Sequence, residues 1–261
     1  MSSGPIQQEK GRAFAALHDG EPFLIPNPWD AGSARVLEAL GFRALATTSS
    51  GFAFTLGRLD GHVTLDEVVA HVAALTASTG LPVSVDLEDG LGDVSRAIRR
   101  VAEAGAVGGS VEDFERGGSL LSREQGAERV AAAVEAARSL GFPFMLTARA
   151  ENHIRGNPDL DDTIARLQAY EAAGADVLYA PGLRTLDEIR AVCDAVERPV
   201  NVLAMPDLNV AEIAAAGAQR ISVGGRLTWV AVAAMAAAAE EMLQGGLAGL
   251  DASPPIGEWL S

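Results

Sequence analysis

The chain has 261 residues, 48% of them hydrophobic and 21% charged, with a formal net charge of -15. That length can bury a large core and fits either one α/β barrel or two small domains. The acidic balance, with no basic run to offset it, excludes nucleic acid as an expected partner, and an anionic ligand would need a bound cation or well-placed arginines.

The N-terminal Met1-Ser2-Ser3-Gly4-Pro5 lacks the basic and apolar regions of a signal peptide. A first helix is expected over residues 7–17, ended by His18-Asp19-Gly20, and its expected role is to cap the bottom of the fold. Asn27-Pro28-Trp29-Asp30 then turns into a helix over 31–40. From there one phrase recurs: a helix stops at a small or apolar residue, a glycine comes next, and a β-rich run begins. It occurs at Gly41, Gly105, Gly141, Gly174 and Gly217, where glycine suits the left-handed helix C-cap.

Strands are expected at 22–25, 44–48, 82–86, 108–112, 144–149, 177–180, 199–203 and 220–223. Helical patterns fall between them at 31–40, 65–78, 93–104, 123–140, 161–173, 185–196 and 210–216, with a last helix over 227–243. Alternation of this kind requires a parallel sheet covered by helices, and eight βα units point to a single (β/α)8 TIM barrel spanning residues 1–261. A doubly wound sheet is the alternative, but no Gly-x-Gly-x-x-Gly opens a helix after the first strand. Residues 245–261 read as a C-terminal extension. The run over 229–239 is apolar nearly all round, so a partner subunit is expected to cover its outward face. It is too short for a bilayer span, which takes about 20 residues. The single cysteine, Cys193, cannot form an internal disulfide and should fill core space on its helix. These features predict a cytoplasmic protein with no membrane partner.

In a TIM barrel the functional groups sit at the C-terminal ends of the strands. Those ends carry Thr48-Ser49-Ser50-Gly51, Asp86-Leu87-Glu88-Asp89, Glu112-Asp113, Arg149-Ala150-Glu151-Asn152-His153 and Asn201. Asp86, Glu88 and Glu112 are metal candidates, and an all-oxygen set favours a hard cation such as Mg²⁺ over Zn²⁺. The planar fork of Arg149 suits a carboxylate or phosphonate, or a structural pair with Glu112 or Glu151. Ser50-Gly51-Phe52 can present a hydroxyl and backbone N–H groups to an anion. His153 is a rim residue open to acid/base work or a plain loop role. His18, His62 and His71 are expected at the surface or at helix ends.

The chain resembles the isocitrate lyase/phosphoenolpyruvate mutase superfamily over roughly residues 23–234. The resemblance is carried by Asn27-Pro28-Trp29-Asp30-Ala31, Ser49-Ser50-Gly51, Leu56-Gly57-Arg58-Leu59-Asp60, Pro82-Val83-Ser84-Val85-Asp86-Leu87-Glu88, Val111-Glu112-Asp113, Thr147-Ala148-Arg149 and Arg220-Ile221-Ser222-Val223-Gly224. It implies a modified TIM barrel whose last helix is exchanged between subunits of a homodimer or homotetramer. It implies Mg²⁺, or Mn²⁺ in its place, bound by Asp86, with Glu88 and Glu112 acting through water. It places Ser50, Gly51 and Phe52 on the substrate carboxylate and Arg149 on an anionic or leaving group. It matches Asp60 to a rim aspartate that orients the metal site, so that Arg149, Asp60 and Glu112 form the catalytic set, and Asn201 joins the substrate-facing residues. The substrates implied are small 2-oxo or 2-hydroxy acids, cleaved or rearranged at a C–C or P–C bond through a pyruvate-type enolate.

The sequence departs from the lyases where they carry a Lys-Lys/Arg-Cys-Gly loop. Here the loop after strand four reads Phe114-Glu115-Arg116-Gly117-Gly118-Ser119-Leu120-Leu121, and Pro181 stands where the lyases have a glutamate. The lysine and asparagine of the phosphonopyruvate mutases are missing too. The departures favour decarboxylation or hydrolytic cleavage over isocitrate-lyase chemistry. The other expectations are a barrel that binds Mg²⁺ and an oxo acid without catalysis, and a Mg²⁺-dependent pyruvate aldolase.

Overall fold

A computed structural model describes residues 5–260. Eight parallel strands form one sheet: β1 (Phe23–Ile25), β2 (Leu45–Ala46), β3 (Val83–Asp86), β4 (Gly108–Glu112), β5 (Met145–Arg149), β6 (Val177–Tyr179), β7 (Val200–Leu203) and β8 (Arg220–Ser222). Each pairs with its sequence neighbour from β2 to β8, and β8 pairs with β1. The remaining seam, between β1 and β2, is bridged where the Ala46 N–H donates to the Pro26 carbonyl at 3.1 Å. The result is the (β/α)8 barrel expected from the alternation. β2 covers fewer residues than the 44–48 run, with the Thr47 N–H still donating to the Ser84 carbonyl at 2.9 Å and Thr48 already capping the next helix.

The helices are α1 (Pro5–His18), α2 (Ala31–Ala39), α3 (Ser49–Thr55), α4 (Leu65–Ser78), α5 (Val94–Glu103), α6 (Arg123–Arg138), α7 (Leu160–Ala172), α8 (Leu186–Asp194), α9 (Val210–Ala215), α10 (Arg226–Leu243) and α11 (Ile256–Trp259). Local chemistry sets where they start. Thr64 with Glu67, Ser122 with Gln125 and Thr185 with Glu188 form reciprocal capping boxes, each satisfying two otherwise orphaned N–H donors. The five glycines read as helix stops all have positive φ, from 73° at Gly141 to 106° at Gly217. A Cβ at Gly217 would also lie 2.7 Å from Cβ of Cys193. Cys193 itself is half-buried against the main core, and burial pushes its thiol up to about 11, which keeps it inert.

The core lies between the barrel wall and the helix ring, with Ile98, Val101, Leu146, Leu167, Leu178 and Val192 among its fully buried members. A second cluster of Phe14, Phe23, Ile25, Ala44 and Val107 seats α1 under the barrel. His18 belongs to this plug and is 5% exposed, not a surface residue. Its ring meets Phe14 and Phe23 edge-on, at 4.9 and 5.2 Å. His71 is likewise drawn inward, stacked on Phe52 at 4.0 Å. His18 does end α1, as expected, but its ring turns inward onto Phe14, one helical turn before it. His71 lies within α4, and its neighbour Phe52 comes from α3, a contact that short-range sequence spacing does not show.

The last helix, α10, leaves the barrel after Thr228, which is buried, and exposes Val230 at 67% and Leu243 at 90%. The tail then folds back. Backbone N–H groups of Ala248 and Gly249 donate to the Glu241 carboxylate at 2.9 and 2.8 Å, and α11 returns to α2. Among the described residues, no helix is long and apolar enough to cross a membrane.

Burial lowers His18 to about 3, aided by the nearby Arg220 cation, and lowers His71 to about 4, against a small opposing pull from Asp30. Both folded values lie below the unfolded value near 6.5. Their contribution to stability is therefore complete above about pH 6.5 and is lost as pH falls through that value towards 4 and then 3. Denaturant unfolding across this range should show stability falling with acid by up to about 1.4 kcal/mol per pH unit for each histidine. His71→Phe should remove one proton's worth of that slope. An unchanged slope in the variant would refute a buried neutral His71.

Candidate active site

The C-terminal rim of the barrel opens into a cavity of about 180 Å³ lined by Thr47, Ser49, Ser50, Asp60, Asp86 and Arg149, with deeper walls from other strands. Asp86 ends β3 and points inward because Ser84 and Asp86 share one face of a strand whose Val83 and Val85 pack outward. Its backbone N–H donates to the Thr47 hydroxyl at 2.9 Å. Oδ2 accepts the Ser49 N–H at 3.3 Å, and Oδ1 accepts Nη1 of Arg149 at 2.8 Å. Ser49 opens α3, so the helix start and the strand end hold one another.

Arg149 ends β5, where Glu112↔Arg149 are register partners. Its Nε and Nη2 donate to Oε1 of Glu151 at 3.0 and 2.7 Å, and Nη2 also pairs with Oε2 of Glu112 at 3.0 Å. The guanidinium lies 5.5 Å from the ring centroid of Tyr179. Burial disfavours this cation, but the charges of Glu151, Glu112 and Asp86 more than reverse the effect and hold it firmly protonated. Among the described residues Nη1 pairs only with Asp86, which leaves its second N–H for an anion in the cavity.

Glu151 is fully buried. Beyond Arg149 it receives Arg155, at 3.1 Å, and its own N–H donates to Asp113 at 2.8 Å. Asp113 in turn accepts Arg166 at 2.9 Å and the Tyr170 hydroxyl at 2.5 Å. The rim arginine is thus braced through two shells of buried hydrogen bonds.

Glu88 has a φ of 49°, a left-handed conformation that is unusual without glycine and that clusters at functional sites. Its Oε1 accepts Nη2 of Arg116 at 3.0 Å. Arg116 also donates through Nη1 to the Val63 carbonyl at 2.8 Å and approaches Asp89 at 3.5 Å. Arg116 belongs to the loop after β4, which folds as a small hairpin with Phe114 bridged to Leu120. Arg155 lies over the Phe114 ring at 4.0 Å. The loop is therefore tied to the rim carboxylates at Arg116.

Burial is the main cause that raises Glu88, to about 7, with Asp86 adding repulsion and Arg116 opposing. Glu112 is also raised, chiefly by burial, while Arg149 opposes and Glu151 and Asp86 add to the rise. Carboxylates also outnumber guanidiniums in this cluster, with Asp60, Asp86, Glu88, Asp89, Glu112 and Glu151 around Arg116, Arg149 and Arg155, a setting that a bound cation would relieve. No sulfur or imidazole lines the cavity, so the donors suit a hard, oxygen-binding ion. Among the described residues, no three acidic, histidine or cysteine side chains converge into a closed cage.

The structure brings Ser50, Asp60, Asp86, Arg149 and Asn201 to this one cavity. Glu88 and Glu112 stand beside it, through their contacts with Arg116 and Arg149. Gly51 and Phe52 do not line it. A Cβ at Gly51 would sit 2.6 Å from both Thr228 and Thr48, so this glycine permits close packing, and the Phe52 N–H is spent on the Thr48 carbonyl at 3.0 Å. Asn201 donates one N–H to Ser222 at 3.0 Å and accepts from Arg220 at 2.9 Å. His153 faces Thr163 at 3.0 Å, away from the cavity. Sequence reasoning did not single out Ser49, Arg116 or Tyr179. Only Arg116, the sole cation in an otherwise uncharged stretch of loop beyond Glu115, left a signal that could have been read.

A family model described as phosphoenolpyruvate phosphomutase matches residues 14–243. A crystal structure from Burkholderia cenocepacia J2315, provisionally designated a lyase/mutase, shares 50% identity, covers 99% of this chain and 98% of its own, and has a TM-score of 0.94. The 2-methylisocitrate lyase of Escherichia coli (strain K12) is 32% identical over 205 residues, 73% of this chain and 68% of the lyase. A phosphonopyruvate hydrolase in complex with oxalate and Mg²⁺ is 25% identical, with 95% of this chain and 93% of that one covered and a TM-score of 0.84.

Glu151→Ala should leave Nε of Arg149 without its acceptor and take away the nearest carboxylate of Arg155, while Asp86 and Glu112 still hold Arg149, and should cost about 1–3 kcal/mol of stability, the scale for stranding a buried donor. The exposed Glu128→Ala should stay within about 0.5 kcal/mol of the parent. Chemical denaturation of the two variants checks this, and equal midpoints would show that Glu151 does not brace the rim.

Proposed function

We propose that this chain, which belongs to the phosphoenolpyruvate phosphomutase family, cleaves or rearranges a C–C or P–C bond of a small 2-oxo or 2-hydroxy acid through a pyruvate-type enolate. It is an enzyme of the carbon–carbon lyase or phosphonomutase kind. The observation that carries the reading is the convergence of Asp86, Arg149 and the Ser49-Ser50 helix start on one rim cavity. The residues that would hold Mg²⁺ are Asp86 directly, with Glu88 and Glu112 through water. A bound Mg²⁺ supplies a positive charge for the enolate oxygen that develops as the bond breaks.

The protein's own groups do the rest. The Ser50 hydroxyl, 3.2 Å from that of Thr48, faces the substrate carboxylate. Arg149 offers its Nη1–H to the anionic or departing group, while Glu112 and Glu151 fix the other side of its fork so that it presents one orientation. Asp60, exposed at the rim and close enough to raise Glu88, orients the acid cluster.

The loop after β4 supports a choice within the family. It holds no cysteine or lysine to serve as a general acid, and Arg116 ties it to Glu88. A reaction that needs no acid from this loop, decarboxylation or hydrolytic cleavage, suits it better than isocitrate-type cleavage. The same loop also favours a second reading, a barrel that binds Mg²⁺ and an oxo acid without turnover. A panel of 2-oxo and 2-hydroxy acids with Mg²⁺, assayed for pyruvate release, separates the two.

The apolar outer surface of α10, with Trp229, Val230, Met235 and Leu243 exposed, supports a homo-oligomer in which this helix is exchanged with or covered by a second copy. Sedimentation should give a mass above that of one 27.0 kDa chain, and a clean monomer would rule the exchange out. Oxalate, which mimics the enolate, should bind with Mg²⁺ to the parent chain and at least about 100-fold more weakly to Asp86→Ala, a loss of about 2.7 kcal/mol. Unchanged affinity in titration calorimetry would remove Asp86 from the metal site.

A further inference from the structure

The interior of a (β/α)8 barrel is ordinarily packed by layers of branched aliphatic side chains. Below the rim of this barrel the inward positions include, beside the apolar Ile25, Ala46 and Leu203, a run of polar residues: Ser84 on β3, Ser110 on β4, Thr147 on β5, Asn201 on β7, and Arg220 and Ser222 on β8. The cavity runs down to meet Ser84, Ser110, Asn201, Arg220 and Ser222, so this polar layer is the floor of the site.

Arg220 is 4% exposed. Its Nε donates to Oδ1 of Asn201 and its Nη2 to the Thr147 hydroxyl, both at 2.9 Å, and Nη1 lies 3.3 Å from Nε2 of His18. All three partners are neutral, His18 included, because burial holds its imidazole far below neutral pH. No carboxylate pairs with Arg220 among the described residues. Burial lowers it to about 10, so it remains a cation at neutral pH. A guanidinium has five N–H donors, and these three contacts leave one on each terminal nitrogen, the pair that grips a carboxylate end-on. The hydroxyls of Ser84 and Ser110 face the same space with no protein partner among the described residues, and Ser84 is itself 4% exposed. A buried cation without a counter-ion is costly, and here it adjoins unpartnered donors in an open cavity.

We infer that the floor is a second anion subsite, in which Arg220, Ser84 and Ser110 hold the distal carboxylate of a dicarboxylic 2-oxo or 2-hydroxy acid. The substrate's other end meets the rim, so the inference rests on the rim reading proposed above. The depth is right for a short diacid. Thr147, which Arg220 touches, lies two residues below Arg149 on β5, or about 7 Å along the strand. Asn201 and His18 act on this subsite as positioning residues, since each holds Arg220 and leaves its free N–H pair for the ligand.

The test is equilibrium titration of the full chain with Mg²⁺ and three probes: malate, which carries both carboxylates, lactate, which lacks the distal one, and oxalate, which needs only the rim. The parent chain should bind malate at least tenfold more tightly than lactate. Arg220→Met and the Ser84→Ala/Ser110→Ala double variant should each lose most of that preference, while oxalate affinity stays within about twofold. Should Arg220→Met fail to fold, the double serine variant decides. A parent chain that binds malate no better than lactate, or a preference that survives in either folded variant, overturns the subsite. Oxalate binding without malate preference would reject the floor and leave the rim reading standing. Malate preference without oxalate binding would do the reverse.

Discussion

The interaction on which the rest of the site depends is the grip of three carboxylates on one guanidinium. Arg149 sits at the end of β5 and is held by Asp86 from β3, Glu112 from β4 and Glu151 from the turn after its own strand. A buried cation is costly unless its donors are met. Meeting them here fixes the relative heights of adjacent strand ends and aims one N–H at the cavity. Glu151 is in turn anchored to Asp113, which collects Arg166 and Tyr170 from α7. The outer helix ring therefore bears on the geometry at the rim through a continuous chain of charge-assisted hydrogen bonds.

The barrel carries opposite electrostatic problems at two depths. At the rim, carboxylates outnumber guanidiniums, and Glu88 and Glu112 are raised, chiefly by burial with repulsion from Asp86 adding to it. Below it, Arg220 is a cation held only by neutral groups. An apolar core in the same space would be the more stable choice. The fold instead retains unbalanced charge of each sign around one cavity, an arrangement suited to a ligand that brings a carboxylate to the floor and arrives with a cation at the rim.

The loop after β4 and the last helix set what surrounds this cavity. Arg116 ties the loop to Glu88 and Asp89, so the segment that carries a reactive motif in the lyases is here an anchored hairpin. Helix α10 keeps only its first turn against the barrel, through Thr228 and the edge-on contact of Phe54 with Trp229. Beyond that turn the returning tail meets it at Glu241, and Val230, Met235 and Leu243 stay exposed.

The eight strands and the glycine-stopped helices were legible in the sequence because they arise from local rules, namely hydrophobic period, capping boxes and left-handed glycines within a few residues of one another. Asp86, Ser50 and Arg149 were legible as rim residues because strand ends in this fold share one side, and Asp60 through the family resemblance, while Asn201, read as a rim residue too, lies lower in the cavity. The sequence could not show that Ser49-Ser50-Gly51 opens a helix rather than a simple turn, that Phe52 stacks on His71, or that His18 is buried beneath Arg220. Those facts depend on contacts such as His18 with Arg220, 202 residues apart, and on which polar side chains find a neutral partner and which find a charged one. A residue's type and strand position are properties of the chain, but its counter-ion is a property of the packed barrel, and only the tertiary structure decided it.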